Sequence, residues 1–294
     1  MRIFSVIVSY NPNIENLTLL CQTLLNNDSN VIVVDNSEKN YISNHKNLAD
    51  CLIIPLEVNT GIAYAQNIGI KHALKNKADI VIIFDQDSKI NNKFIPSLIK
   101  HLTIGKPKVV VPLCYDEFDG KELPAIRLNK VGIPVKIYKD DNCNTPYDID
   151  FSIASGTAAT AITYDIVGLM DEDLFIDYVD IDWCLRLRSK NIALQVVPSA
   201  TMIHSIGLRS INLWFMKCFV HSPIRTYYKI RNSFILLRKD YVPLLMALKE
   251  IITILIHQFA LLFFVKNKTE YIKNYYVAVI HGVKGIVGEK PINR

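Results

Sequence analysis

The chain has 294 residues, half of them hydrophobic, with 33 Lys/Arg against 28 Asp/Glu. That length suits one large or two small domains, and the apolar fraction excludes a disordered chain. The charge is uneven: residues 201–294 hold 14 Lys/Arg against 4 Asp/Glu, and the first 200 hold 19 against 24.

An acidic body with a basic, apolar tail points to an anionic partner for the tail, a membrane leaflet or a nucleic acid. No helix-turn-helix, zinc-finger or RNP-like pattern accompanies the basic residues, so nucleic acid is not expected. Cys21, Cys51, Cys114, Cys143, Cys184 and Cys218 form no Cys-x-x-Cys pair, which favours a reducing compartment. The N-terminal run MRIFSVIVSYNP is too short in apolar residues for a signal peptide and leads into strand pattern.

IFSVIVSY reads as a buried strand, and NPNIENLTLLCQTLLNN as an amphipathic helix. VIVVDNS and CLIIPLE are two further strands, and TGIAYAQNIGIKHALKN is a helix entered through a glycine. DIVIIFDQDS is the fourth strand, after which KFIPSLIKHL and KVVVPLCY continue the alternation. Apolar strands separated by helices predict an α/β fold with a mainly parallel central sheet. Residues 115–150, rich in Asp, Lys, Pro and Asn, break the rhythm and read as a loop or antiparallel insert near a site. An α/β domain over 1–235 is followed by an apolar and basic helical segment over 236–294.

Polar residues gather at strand ends. Ser9, Tyr10 and Asn11 follow the first strand, Asp35 ends the second, and Asp85, Gln86 and Asp87 end the fourth. In a parallel sheet these ends share one edge, where open α/β folds bind ligands. Two carboxylates one residue apart suit either a turn or a divalent cation. A second cluster, Asp177, Asp180 and Asp182, precedes a helix predicted to start near Asp182; spacing leaves both capping and catalysis open. SGTAATAI offers small residues for close approach of a ligand. His204 follows the strand-like LQVVP, where a structural role and metal ligation are both open.

The ordered set of motifs resembles the family 2 inverting glycosyltransferases of the GT-A fold, most of all bacterial polysaccharide rhamnosyltransferases. It comprises SVIVSYNP at 5–12, VVDNS at 33–37, NTGIAYAQNIGI at 59–70, DQDS at 85–88, SGT at 155–157, FIDYVDIDWCLRLR at 175–188, HSIG at 204–207 and YYKIRN at 227–232. The resemblance implies that Asp35 holds the nucleobase, and that Ser9, Tyr10, Asn11 and the stretch from Gly61 to Asn67 surround base and ribose. Asp85 and Gln86 would lie on the donor. Asp85, Asp87 and His204 would hold Mg2+ or Mn2+. Asp180 would be the general base, although the family's Glu-Asp pair here reads Val179-Asp180. Asp177, Asp182 and Trp183 would shape the acceptor side.

The implied reaction moves L-rhamnose from dTDP-β-L-rhamnose to a lipid-linked oligosaccharide, for O-antigen or capsule. Other donors (UDP-glucose, UDP-galactose, UDP-galactofuranose, a UDP-N-acetylhexosamine) keep the same chemistry. A nucleotidyltransferase is disfavoured because SVIVSYNPNIENL lacks a Gly-rich basic phosphate loop. A non-catalytic nucleotide-sugar scaffold is the rival of another class. The segment 241–265 is as long as a membrane span, but Lys249, Glu250 and His257 interrupt it. Arg225, Lys229, Arg231, Arg238, Lys239, Lys266, Lys268 and Lys273 flank it. The expectation is peripheral attachment to the cytoplasmic face of an anionic membrane, with a hairpin packed on the domain or a homo-oligomer as the alternatives.

Overall fold

A computed structural model describes residues 1–39, 42, 45–140, 144–204, 210–213, 216–265 and 267–291, with only the backbone of 210–213 and 216–219. Residues 205–207 of the HSIG motif, Cys143 and Lys266 lie outside the described residues. Cys21, Cys51, Cys114 and Cys184 are free thiols.

The first strand, β1 (Ile3–Ser9), is buried along its whole length, as its unbroken apolar run requires of a strand covered on both faces. It lies between β2 (Asn30–Asp35) and β4 (Ile80–Asp85), parallel to both, with β3 (Leu52–Pro55) beyond β2. β5 (Val109–Asp116) and β10 (Leu194–His204) run parallel to each other on the far side. Between β4 and β5 sits the short β9 (Ala158–Thr160), antiparallel to both, and β8 (Tyr147–Asp148) pairs antiparallel on the outer edge of β10. The eight-stranded order is β3-β2-β1-β4-β9-β5-β10-β8. The predicted mainly parallel sheet is what forms.

α1 (Ile14–Leu25) starts on an Asn13 cap and covers one face of the sheet together with α3 (Phe94–Ile99). α2 (Ile62–Lys75), α4 (Ala161–Val167) and α5 (Val179–Ser189) cover the other. The insert after β5 contains the antiparallel hairpin β6 (Ala125–Leu128) and β7 (Pro134–Ile137). β11 (Ser210–Leu213) and β12 (Met216–Phe219) form a separate antiparallel pair.

Three helices end the chain: α6 (Pro223–Leu236), α7 (Leu244–Leu261) and α8 (Lys268–Lys284). The predicted boundary at 235/236 falls one residue inside the end of α6. α7 is not an independent tail, because its Met246 and Ala247 belong to the main core beneath the sheet. It is long and apolar enough to cross a membrane by length and composition, with a third of the segment buried against protein.

Candidate active site

Register brings the strand-end residues together. Ser9 pairs across from Asp35, and Val8 from Asp85, so β1, β2 and β4 end side by side. Asp35 is 1% exposed, and its Oδ1 accepts from Ser9 Oγ at 3.2 Å, Ser37 Oγ at 2.6 Å and Ser37 N at 3.2 Å. Asn11 N donates to Ser37 Oγ, and Tyr10 OH donates to Glu38. Gln86 exchanges two hydrogen bonds with the Tyr10 backbone at 2.7 and 3.2 Å, so its amide ties the ends of β4 and β1 together.

After Asp87 the chain turns back against the end of β10, with Lys89 and Ile203 exchanging backbone hydrogen bonds of 3.0 and 3.3 Å. That return brings His204 to the two acids: one ligand atom each from Asp85, Asp87 and His204 lie within 4.8 Å of one another. His204 Nδ1 is buried without a hydrogen-bond partner. Two carboxylates and an orphaned imidazole nitrogen are a donor set that fits a divalent cation. Burial raises the Asp85 pKa, as does Asp87, while His204 and Arg225 pull it down.

The SGT segment buttresses this corner instead of facing a ligand. Ser155 is fully buried, accepts from Asp85 N at 3.2 Å and shares a hydrogen bond with Ser88. Gly156 has φ +78° and stands where a Cβ would meet the Pro112 ring at 2.6 Å.

Across the cleft lies the segment 175–180. Phe175, Asp177 and Tyr178 all have positive φ, between 63° and 65°, which is costly for non-glycine residues at about 1–3 kcal/mol each. Two buried α6 residues hold them there. Asn232 Nδ2 donates toward the carbonyls of Leu174, Ile176 and Asp177 at 2.8–3.0 Å. Arg231 donates to the carbonyls of Asp173, Leu174 and Gly288 and to Asn232 Oδ1. Gly61, with φ +84°, permits the other close approach: a Cβ there would lie 2.7 Å from Phe175 O, which accepts from Ile62 N at 2.8 Å.

α5 therefore starts at Val179, three residues before the predicted position, with Asp180 in its first turn. A cleft of about 530 Å³ is lined by Gln66, Asp85, Asp177, Asp180, His204, Arg225, Lys229 and Glu250 among others. Burial lifts the Asp180 carboxyl to about 6; the Ile181 N–H opposes the shift, and Asp85 and Asp177 add to it. Arg225 makes a two-pronged ion pair with Asp177 at 3.1–3.2 Å. Burial opposes the Arg225 charge, yet Asp177 keeps its pKa above the ordinary value. Burial lowers the pKa of Lys229, which shares a 2.7 Å hydrogen bond with His221 Nε2.

Several expected roles do not survive. Asp182 is fully buried, paired with Arg186 and Lys239 at 3.0 Å and accepting from Tyr241 OH, so it cannot meet an acceptor. Trp183 is 2% exposed, stacks on Tyr164 and donates to Gly168 O, which makes it a core residue. The Asn67 amide is used up on Met170 and Glu172, at 2.7–3.0 Å. One residue earlier Gln66 lines the cleft, its Oε1 buried and unpartnered. Four of the basic residues expected to meet a membrane are also engaged inside. Arg225 and Lys229 line the cleft, Arg231 is fully buried, and Lys239 pairs with Asp171 and Asp182. Sequence reasoning missed Arg225, Lys229 and Glu250 as site residues; the i, i+4 spacing of Arg225 and Lys229 on an amphipathic helix was the available signal.

A Glycosyl transferase family 2 model matches residues 5–157. The chain belongs to that family. It is 40% identical over 98% of its length, and 97% of the relative's, to the dTDP-rhamnosyl transferase RfbF of Shigella flexneri. Among solved structures, that of GalNAc-T7 with UDP, GalNAc and Mn2+ superposes with a TM-score of 0.58 at 15% identity, over 71% of this chain and 44% of the other. S. aureus TarS 1–349 in complex with UDP-GlcNAc gives 0.54 at 16%, over 98% and 84%. These likenesses identify the GT-A fold. The protein is a glycosyltransferase.

With Asp180 in the general-base role that the resemblance implies, its elevated carboxyl predicts a pH dependence. A base must be ionised to accept a proton, so kcat/KM for transfer should rise with pH through about 6 and level off above it. Asp180→Asn should cut turnover about a hundredfold or more and abolish that limb. An acid limb near pH 4, or an unchanged limb in Asp180→Asn, contradicts the assignment.

Proposed function

We propose that the enzyme is an inverting rhamnosyltransferase that moves L-rhamnose from dTDP-β-L-rhamnose to a hydroxyl of a lipid-linked oligosaccharide. The rhamnosyl donor is supported by the 40% identity to a dTDP-rhamnosyl transferase across nearly the whole chain. Inversion is carried by one observation: the candidate cation site and Asp180 line the same cleft from different elements, β4 and β10 on one side and the start of α5 on the other.

In this reading Asp35, Ser9, Tyr10 and Asn11 hold the nucleoside at the ends of β1 and β2. Asp85, Asp87 and His204 would hold Mg2+ or Mn2+, which when bound neutralises charge on the departing diphosphate. Arg225 and Lys229 line the same cleft and bring basic groups into it, Arg225 already paired with Asp177. Asp180 accepts the proton of the acceptor hydroxyl as its oxygen bonds to the anomeric carbon. The bond from that carbon to the diphosphate oxygen breaks, its electron pair leaving with dTDP, and attack from the opposite face gives an α-linked product.

A membrane location is supported by α7. Its inner side carries Glu250 and Ile254 into the cleft, and Glu250 accepts from Tyr178 OH at 2.6 Å. Its outer side exposes Leu244, Leu248, Ile252 and Ile256 at i, i+4 spacing, with Phe263 beyond. An apolar stripe of that extent marks an interaction surface. Exposed Lys249 on α7 and Lys268, Lys273 and Lys284 on α8 add positive surface charge suited to an anionic bilayer, each worth about 1 kcal/mol where it reaches the leaflet. The same helix would then touch the cytoplasmic leaflet and wall the active site.

Purified protein incubated with dTDP-rhamnose, Mn2+ and acceptor should release dTDP, and EDTA should stop the release. Asp87→Ala should lower the rate about a thousandfold or more while the protein stays folded. Activity surviving both treatments would remove the metal role, and turnover of UDP-sugars alone would remove rhamnose. In flotation, the protein should rise with vesicles containing anionic lipid and leave them in high salt, and Ile252→Glu should weaken the association. Equal recovery with neutral vesicles contradicts the electrostatic part, and no flotation at all contradicts membrane contact.

A further inference from the structure

A second cavity, of about 230 Å³, shares Ile153, Asp180 and Ile181 with the donor cleft. It lies between the end of β5, the insert that carries the β6–β7 hairpin, and the start of α5. Its walls are almost entirely apolar, with Leu113, Leu123, Ile126, Phe151 and Val196 among them. Against that background the polar side chains are Asp180, Ser152, Cys114 and Tyr147, and of these the Tyr147 hydroxyl is buried with no hydrogen-bond partner. A buried unpartnered hydroxyl is a penalty unless a ligand supplies the missing partner.

Size and chemistry limit what can enter. The volume is below the range of about 300–1,000 Å³ typical of pockets for drug-sized ligands, so it suits a single ring. A fully hydroxylated hexose would bury hydroxyls against aliphatic walls that cannot bond them, which is unfavourable. A ring with a methyl group would bury that methyl and still offer one oxygen to Tyr147. The accepting hydroxyl must reach Asp180, and Asp180 faces this cavity as well as the donor cleft.

We propose that this cavity is the subsite for the acceptor's terminal ring, and that it selects a pyranose bearing a methyl group, either a deoxysugar C-methyl or an N-acetyl methyl. The proposal rests on the transferase reading and names the acceptor class for it. Tyr147 supplies a single hydrogen bond for orientation, and the insert forms the wall that discriminates.

The test uses the full-length protein with donor and simple acceptors: methyl α-rhamnoside, methyl N-acetylglucosaminide and methyl glucoside. One or both methyl-bearing acceptors should exceed the glucoside in kcat/KM by about tenfold or more, and their ranking identifies the source of the methyl. Ala125→Leu, which extends into the cavity, should lower transfer to the preferred saccharide about tenfold or more. Slow release of nucleoside diphosphate to water should stay at the wild-type rate. Tyr147→Phe, a milder change, should raise the acceptor KM several-fold with release to water unaltered. Equal or better use of the glucoside overturns the proposal, as does wild-type acceptor kinetics in both variants. If the wild-type protein releases nucleoside diphosphate from no sugar donor, the transferase reading fails first, and this one with it.

Discussion

The site depends on one buried polar knot, Arg231 and Asn232 of α6 on the carbonyls of residues 173–177. Neither side chain has measurable exposure, and Arg231 has no carboxylate partner among the described residues. Its charge is balanced by backbone oxygens and by the faces of Tyr227 and Tyr228, whose ring centres lie 5.6 and 5.0 Å from the guanidinium carbon. Isolated buried charges are unfavourable by several kcal/mol, and this one is offset by the carbonyl dipoles of Asp173, Leu174 and Gly288 that it meets. In return the segment keeps three left-handed residues that no local preference would hold. Those residues turn Asp177 toward Arg225 and start α5 so that Asp180 faces the cleft.

The C-terminal helices are thus part of the wall of the cleft. α6 supplies the knot and, one and two turns earlier, the cations Lys229 and Arg225; α7 supplies Glu250, bonded to Tyr178 within the strained segment. Acids and bases in the cleft are sorted by environment. Asp177 is neutralised by an ion pair, Asp85 faces its neighbour Asp87 across a cation site, and Asp180 is left desolvated without a cationic partner among the described residues. Burial without such a partner raises the proton affinity of Asp180 toward the working pH of a general base.

Much of this was legible in the sequence because it is local. Unbroken apolar strands alternating with helices specify a parallel sheet, and a parallel sheet delivers Ser9, Asp35 and Asp85 to one edge whatever the details. The acids around 180 and the histidine at 204 were visible as motifs. Their separation into working and structural members was not. Asp180 and Asp182 are two residues apart on one helix, so they point to different sides; one meets the cleft and the other a buried cluster with Lys239, which is distant in sequence. The same blindness to tertiary contact made Arg225, Lys229, Arg231 and Lys239 read as a basic rim, and singled out Asn67 within the stretch from Gly61 to Asn67 where Gln66 is the residue that lines the cleft.

The account stands on the claim that the knot on α6 positions the base without itself touching substrate. Asn232→Leu, with the same branching and number of side-chain heavy atoms but unable to donate, tests it most directly when donor affinity and transfer rate are measured side by side in a protein verified to be folded. The prediction is a nucleotide-sugar Kd within about twofold of wild type and a turnover about a hundredfold lower, because the loss falls on general-base catalysis and not on the donor subsite. A folded Asn232→Leu enzyme with wild-type turnover would contradict it.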